Sequence, residues 1–167
     1  MTPEEQFLEF IERSDKGEKI DPGQVEQTFN ELKPVEPDQL VGYEWKGGTI
    51  KTGTVYEGFI NILLKTVVDW AGKRFYSMDD VEPIMIYTKT GERKPYRGVG
   101  AAKLKRVLYQ DIETTAMVYN SVPITDFFHY VNNDTVIGLM KTKPKTGDYF
   151  FYLIRLQPIE ERNTSSL

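Results

Sequence analysis

The segment Tyr149 to Leu156 restricts the fold more than any other part of this sequence. It reads YFFYLIRL, so both sets of alternate residues are almost entirely apolar or aromatic. Successive side chains of a β-strand point to opposite faces, and a sheet with one wet face alternates apolar and polar residues. Thr135 to Lys141 has the same two-sided pattern. These strands must be covered on both faces, which predicts a curled sheet or barrel with an apolar interior and helices packed outside.

Further strand candidates lie between residues 75 and 131. They are Phe75 to Tyr76, Pro83 to Thr88, Ala102 to Tyr109, Ile112 to Asn120 and Asp126 to Val131. Turn-rich segments separate the strands, and Asn132-Asn133-Asp134 is typical of a hairpin turn. These short connections predict an antiparallel meander.

Helical periodicity is found in the first half of the chain. Residues 1–33 predict two short amphipathic helices, each introduced by a cap and a proline at Thr2-Pro3 and Asp21-Pro22. The longest helical pattern runs from Tyr56 to Trp70, and Ala71-Gly72 ends it. The predicted fold class is therefore α+β, a strongly bent antiparallel sheet or barrel with N-terminal helices and one longer helix packed on it.

The stretch VGYEWKGGTI places Gly42, Gly47 and Gly48 around Trp45. Glycine weakens regular structure and is kept where the backbone must bend or where another group must approach closely. The corners of a curled sheet need such bends. We interpret these glycines as the positions at which the strand curls, with Trp45 plugging or lining the interior.

Charge and composition argue against several classes of function. The net charge is −4, and the densest basic cluster is only Lys103, Lys105 and Arg106, so no nucleic-acid-binding stripe is expected. The sequence contains no apolar run of about 18 residues, which argues against a membrane span. The N-terminus is acidic where a secretion signal would be basic, and cysteine is absent. We therefore expect a cytoplasmic protein without disulfides.

Several motifs, in order, resemble two known families. One group of residues resembles the signature of the GXWXG domain: Gly42, Trp45, Gly47-Gly48 and Thr52-Gly53. A second group resembles the domain of unknown function that usually follows the GXWXG domain. This group consists of Ala116 to Tyr119, Pro123 to Asp126 and Asp134 to Met140. Two departures are visible. Two residues rather than one separate Gly42 from Trp45, and Phe127-Phe128-His129 stands where members carry a histidine and then an arginine around the phenylalanine.

The resemblance implies a fold but no established activity. A glycine-x-tryptophan strand is also a mark of the lipocalin-like, or calycin, barrels, so a calycin-like barrel is expected. In lipocalins the tryptophan stacks with an arginine from a late strand, and Arg155 is the matching candidate. The chain divides into N-terminal helices (1–33), a GXWXG-like region (35–100) and a C-terminal β-meander region (101–167), which we expect to share one structural domain.

Aromatic residues make up 13% of the chain and provide a candidate pocket for a flat or apolar ligand. The candidate ligand-binding residues are Tyr43, Trp45, Lys73, Arg74, Phe75, Tyr119, Phe128, Tyr152 and Arg155. The alternative is an ordinary aromatic-rich core, in which Trp45 seals one end of the barrel. Lys73 and Arg74, just past the predicted helix, could hold an anionic head group or interact with the helix dipole.

Asp126 is the candidate acid or base if the protein is an enzyme. A carboxylate inside an apolar barrel has a raised pKa, although capping a turn is the alternative role. Tyr119 and His129 are the candidate polar partners. Positions 126 and 129 of a strand face opposite sides, which argues against a dyad and favours a surface histidine. One histidine and no carboxylate cluster with metal spacing predict no metal and no cofactor.

Three functions remain open from the sequence. The first is a small-molecule-binding protein, monomeric or homodimeric, that holds an apolar or aromatic ligand in a barrel cavity. The second is an isomerase, cyclase or hydrolase that acts on an apolar substrate in the same cavity with Asp126 as acid or base. The third is an interaction scaffold with a fully packed core.

Overall fold

The computed structural model describes residues 1–58, 60, 70–143 and 147–160. Three helices lie entirely within them: α1 (Pro3–Asp15), α2 (Pro22–Glu31) and the short α3 (Pro37–Leu40). Thr2 and Glu5 form a capping box at the start of α1, and the carboxylate of Asp21 accepts a hydrogen bond from the backbone of Gln24 in α2. The N-terminal helices therefore begin at the predicted caps.

The strands fill most of the remaining described chain. They are β1 (Lys33–Pro34), β2 (Tyr43–Thr49), β3 (Trp70–Ser77), β4 (Asp80–Tyr87), β5 (Arg93–Pro95), β6 (Ala102–Tyr109), β7 (Ile112–Tyr119), β8 (Ile124–Asn132), β9 (Thr135–Thr142) and β10 (Tyr149–Pro158).

Eight of these described strands close into an antiparallel barrel. The pairing order is β8-β7-β6-β4-β3-β2-β10-β9, and β9 pairs back onto β8. The short strands β1 and β5 lie outside this circuit, paired with β8 and β4. The predicted α+β fold, a strongly bent antiparallel sheet with helices packed on it, is confirmed.

The two faces of the strands pack into separate apolar clusters. On β10, Phe151 and Leu153 belong to the cluster inside the barrel, together with Trp45. Phe150 and Tyr152 belong to an outer cluster under α1 and α2, whose helical members include Phe7, Phe10, Val25 and Phe29. Burying one large apolar side chain stabilises a fold by about 1.5–3 kcal/mol. Both faces of β10 therefore contribute to stability, which explains its two-sided sequence.

The segment between α2 and β2 closes one end of the barrel. Val35 and Leu40 are fully buried and belong to the inner cluster. The indole Nε1 of Trp45 donates to the carbonyl of Leu40 at 3.2 Å, and the guanidinium of Arg155 donates to the carbonyl of Gln39 at 2.8 Å. These two side chains fix α3 across the barrel end.

The helix predicted from Tyr56 to Trp70 is wrong at its C-terminal end. Residues 55–58 and 60 are helical, and residues 59 and 61–69 lie outside the described part of the chain. Trp70, Ala71 and Gly72 begin β3 instead of ending a helix. β3 pairs with β2 and with β4, and the β4 register shifts on both sides of Gly72. Pairing with two neighbouring strands overrides the local helical periodicity.

Two glycines beside Trp45 make room for aromatic rings. A Cβ added at Gly47 would overlap the ring of Trp70, and one added at Gly48 would overlap the ring of Tyr152. Neither glycine has a positive φ. That the strand curls at these two positions stays a prediction. The missing side chains are needed for close approach.

Gly72 combines a left-handed backbone with a close backbone contact. Its φ is +126°, and an added Cβ would overlap the carbonyl oxygen of Trp45. We expect Gly72→Ala to lower the free energy of unfolding by about 3 kcal/mol or more, because strain and overlap add. Gly91→Ala is the matched control, since Gly91 has φ +83° but no atom within 4 Å of an added Cβ.

The control should cost only about 1–2 kcal/mol. Urea unfolding followed by tryptophan fluorescence measures both variants. Equal losses for Gly72→Ala and Gly91→Ala would contradict the packing explanation.

Candidate functional site

Lys73 and Asp126 form an ion pair inside the barrel. Lys73 Nζ lies 3.2 Å from Asp126 Oδ2, and the two side chains are 3% and 1% exposed. Nζ also donates to the carbonyl of Pro83 at 2.9 Å and to Oη of Tyr119 at 3.5 Å. Strands β3, β7 and β8 supply the three side chains, which we call the Lys73 cluster (Lys73, Tyr119 and Asp126).

Aromatic rings surround the ammonium group of this cluster. Lys73 Nζ lies 5.2 Å from the ring centre of Phe151, 5.7 Å from Trp70 and 5.8 Å from Tyr119. Attraction to the ring faces replaces part of the hydration that burial removes. Asp126 Oδ1 is also buried, and it has no hydrogen-bond partner among the described residues. Such an unsatisfied acceptor costs about 1–3 kcal/mol, so the cluster contains a position for one more donor.

Burial moves the pKa values of the two charged groups toward each other. Desolvation raises the pKa of Asp126, and the charge and hydrogen bond of Lys73 offset this only partly. Desolvation lowers the pKa of Lys73, with a partial offset from Asp126. The pair can therefore be an ammonium and a carboxylate or, after transfer of one proton, an amine and a carboxylic acid.

Tyr119 remains a neutral phenol in this environment. Desolvation, and then the charge of Asp126, raises its pKa well above the ordinary value. The phenol can donate or accept a hydrogen bond. The cluster thus combines an amine, a carboxyl group and a hydroxyl group in an apolar interior.

A cleft of about 540 Å³ opens beside the cluster. Its lining is mostly apolar, including Val122 and Ile124, and it also includes Lys141 and Lys143. Tyr119 lines the cleft and lies within hydrogen-bond distance of Lys73. Tyr119 is therefore shared by the cleft and the Lys73 cluster.

Three candidate ligand-binding residues meet at the closed end of the barrel. Arg155 Cζ lies 4.0 Å from the ring centre of Tyr43 and 5.2 Å from that of Trp45. Arg155 and Trp45 are direct partners in the pairing of β10 with β2. The rings of Phe75 and Phe128 meet edge to face inside the barrel, with centres 6.1 Å apart. These residues form the floor of the barrel.

His129 lies on the outer face of β8, away from Asp126. Its ring stacks on Phe29 of α2 with centres 4.1 Å apart, and Nδ1 lies 2.8 Å from the carbonyl oxygen of Phe29. Burial lowers the pKa of His129. The side chain is fully buried, so the interpretation as a surface histidine is wrong, because α2 covers this face of the barrel.

Tyr152 and Arg74 also lie outside the barrel interior. The hydroxyl of Tyr152 donates to the carboxylate of Asp15 at 2.6 Å. Arg74 Nη2 lies 3.1 and 3.2 Å from the two carboxylate oxygens of Glu44. Glu44 also accepts from Arg93 at 2.6 Å. Both candidates are held in contacts on the outer face, so they do not join the Lys73 cluster.

Sequence reasoning missed the pairing of Lys73 with Asp126. Asp126 lies within β8, so the alternative in which it caps a turn is wrong. Lys73 lies within β3, so an interaction with a helix dipole is wrong as well. A signal was present, because Ala71 and Phe75 flank Lys73 at two-residue spacing. A strand assignment would have placed a lysine on an apolar face, where a carboxylate partner is expected.

The described ranges contain neither a metal-binding cluster nor a helix that could span a membrane. In residues 1–58, 60, 70–143 and 147–160, no group of three or more His, Cys, Asp or Glu side chains is arranged to hold a metal ion. The helices of the same ranges include none with the length and apolar character needed to cross a bilayer.

Two families match successive parts of the chain. Residues 27–91 match the family described as GXWXG protein, and residues 100–155 match a domain of unknown function, DUF4334. No curated protein matches. A solved structure, described as the crystal structure of a protein from Thermomonospora curvata, has a TM-score of 0.81 and 32% sequence identity. The match covers 94% of this chain and 100% of that chain.

The closed antiparallel barrel with helices packed outside has a calycin-like architecture. Within this class, the chain belongs to the GXWXG family, in which the GXWXG region is followed by DUF4334. The resemblance read from the motifs, including their order, is confirmed.

The Lys73–Asp126 pair should reduce stability relative to apolar residues of similar volume. Replacing a buried ion pair in that way is often neutral or stabilising by about 1–4 kcal/mol, whereas removing one partner costs about 3–5 kcal/mol. We expect Lys73→Met with Asp126→Val to match or exceed the wild type in free energy of unfolding. Lys73→Met alone should be less stable than the wild type.

Urea unfolding at neutral pH measures both variants. A double variant that is less stable than the wild type would contradict this expectation. The pair would then be a stabilising element of the fold.

Proposed function

We propose that this protein binds a small, mostly apolar or aromatic molecule in its barrel, and that the Lys73 cluster holds the one polar group of that molecule. The observation that carries the proposal is the buried ion pair, in which Asp126 Oδ1 has no hydrogen-bond partner among the described residues. A ligand hydroxyl would donate to Oδ1, and a ligand oxygen would accept from Lys73 or Tyr119.

The energetics of the pair support a role in binding. Burying a charged group costs several kcal/mol of hydration free energy. The attraction between two buried charges seldom offsets this cost in full. Most described members of the inner cluster are apolar, such as Phe75, Phe128 and Leu153. A polar cluster in that interior is explained if a ligand uses it.

Access in this proposal runs through the cleft at Tyr119. Apolar side chains of the cleft contact the body of the ligand. Tyr119 lines the cleft and lies within hydrogen-bond distance of Lys73. Trp45, Tyr43 and Arg155 close the opposite end and support the site from below. The specificity expected is for an elongated or flat apolar molecule with one oxygen function at its end.

A second candidate function is catalysis in the same cavity. The raised pKa of Asp126, caused by desolvation, suits a general acid or base near neutral pH. Tyr119 is the polar partner in this version, because His129 lies on the outer face. Asp126→Asn should then abolish turnover, by about 10²–10⁴-fold, while binding changes little. Turnover that survives this change would exclude the acid or base role.

The two tryptophans offer a direct test of binding. Trp70 lies 5.7 Å from Lys73 Nζ, whereas Trp45 lies at the closed end and bonds to Leu40. We expect aromatic alcohols of increasing size to change the fluorescence of Trp45→Phe, which keeps Trp70. Trp70→Phe, which keeps Trp45, should respond weakly, because its remaining indole lies away from the ligand.

The pair-replaced variant, Lys73→Met with Asp126→Val, is the control for the polar anchor. It should bind the alcohols at least about tenfold more weakly, since a tenfold change corresponds to about 1.4 kcal/mol, roughly one hydrogen bond. Equal affinity in the wild type and this variant would exclude the Lys73 cluster as the binding site.

A further inference from the structure

Lys73 is a lysine whose surroundings suit covalent chemistry as well as an ion pair. We propose that Lys73 captures an apolar aldehyde or ketone as an imine, with Asp126 moving the proton. This inference rests on the proposed function and names its ligand class. The amine nitrogen has three oxygen neighbours within 3.5 Å: Asp126 Oδ2, the Pro83 carbonyl and Tyr119 Oη.

The first requirement is a free amine. Transfer of a proton from Lys73 to Asp126 converts the ion pair into a neutral amine and a carboxylic acid without a net charge change in the interior. The 3.2 Å contact between Nζ and Oδ2 permits this transfer directly. Desolvation favours the neutral forms of both groups, lowering the pKa of Lys73 and raising that of Asp126. Amines desolvated in this way are established nucleophiles toward carbonyl carbon.

The chemical steps balance within the cluster. Nζ attacks the carbonyl carbon, the carbonyl π bond breaks, and the oxygen takes the proton held by Asp126, with loss of one amine proton to the carboxylate. The resulting carbinolamine loses its hydroxyl group as water after a second proton transfer from Asp126, and a C=N bond forms as an iminium beside the carboxylate. The carboxylate then takes the remaining N–H proton, which gives the neutral imine and restores the carboxylic acid. One aldehyde and one amine give one imine and one water, so no oxidant or reductant is needed.

The surroundings also stabilise the protonated product. An iminium would keep the positive charge beside Asp126 and close to the rings of Phe151, Trp70 and Tyr119. Asp126 Oδ1, which lacks a partner among the described residues, is the oxygen available to exchange protons with the carbonyl oxygen of the ligand. Burial of the pair keeps bulk water from the imine, which slows hydrolysis.

Two other lysines in the described part of the chain lack this combination. Lys16 pairs with Glu12 at 3.2 Å with both side chains more than half exposed. Lys141 pairs with Asp148 at 3.1 Å and is partly exposed. An exposed lysine with an ordinary pKa near 10.4 is only about 0.04% free amine at neutral pH. Imine formation at neutral pH should therefore select Lys73.

The test uses cuminaldehyde and its alcohol, cuminyl alcohol, as a matched pair of probes. The full-length protein is incubated with cuminaldehyde and sodium cyanoborohydride at neutral pH, and the reduced adduct is located by peptide mass mapping. We expect the adduct on Lys73 to form at least about tenfold faster than on any exposed lysine. Asp126→Asn should slow its formation by about 10²-fold.

Each outcome separates the inference from the function on which it rests. Lys73→Met with Asp126→Val keeps an apolar interior and should give no selective adduct. If cuminyl alcohol binds the wild type but no adduct forms on Lys73, or adducts spread evenly over exposed lysines, the imine inference is overturned and binding stands. If cuminyl alcohol also fails to bind, both the imine inference and the proposed binding function are overturned for this class of ligand.

Discussion

Closure of the barrel depends on strands that are apolar on both faces. β10 contributes Phe151 and Leu153 to the interior, and Phe150 and Tyr152 to the surface under α1 and α2. Without the helices, the outer aromatic residues would face water, and without closure the inner ones would do so. The inner and outer clusters therefore stabilise the same strands from opposite sides. This arrangement leaves the side chains of Lys73 and Asp126 almost fully buried, and desolvation lowers the pKa of Lys73 and raises that of Asp126.

Aromatic rings and glycines are matched across neighbouring strands. Trp70 lies over Gly47, Tyr152 over Gly48 and Phe151 over Gly138. Each ring occupies the space that a side chain on the partner strand would take, so the strands hold bulky residues without widening the barrel. Trp70 and Phe151 are also two of the rings around Lys73. The packing that replaces glycine side chains thus also builds the walls of the candidate site.

The sequence predicts some levels of this structure well and others poorly, for physical reasons. The two-sided pattern of residues 149–156 predicts a barrel, because burial on both faces admits few arrangements. The stretch ending at Trp70 led to a wrong helix end. Helical spacing of apolar residues is a local signal, whereas the pairing of β3 with β2 and β4 depends on residues far away in the sequence. The Lys73–Asp126 contact joins distant strands, so no local pattern contains it. Asp126 and Tyr119 were nevertheless recognisable as polar residues in apolar strands.

The proposed function requires that Lys73 lies where a ligand binds. NMR of isotope-labelled lysine ε-carbons tests it most directly, with the Lys73 signal identified by its loss in Lys73→Met. We predict that the Lys73 signal titrates differently from the signals of exposed lysines. It should also shift when an aromatic alcohol is added, while the signals of the exposed lysines stay unchanged. A ligand that changes the fluorescence of Trp70 but leaves the Lys73 signal unmoved would contradict it.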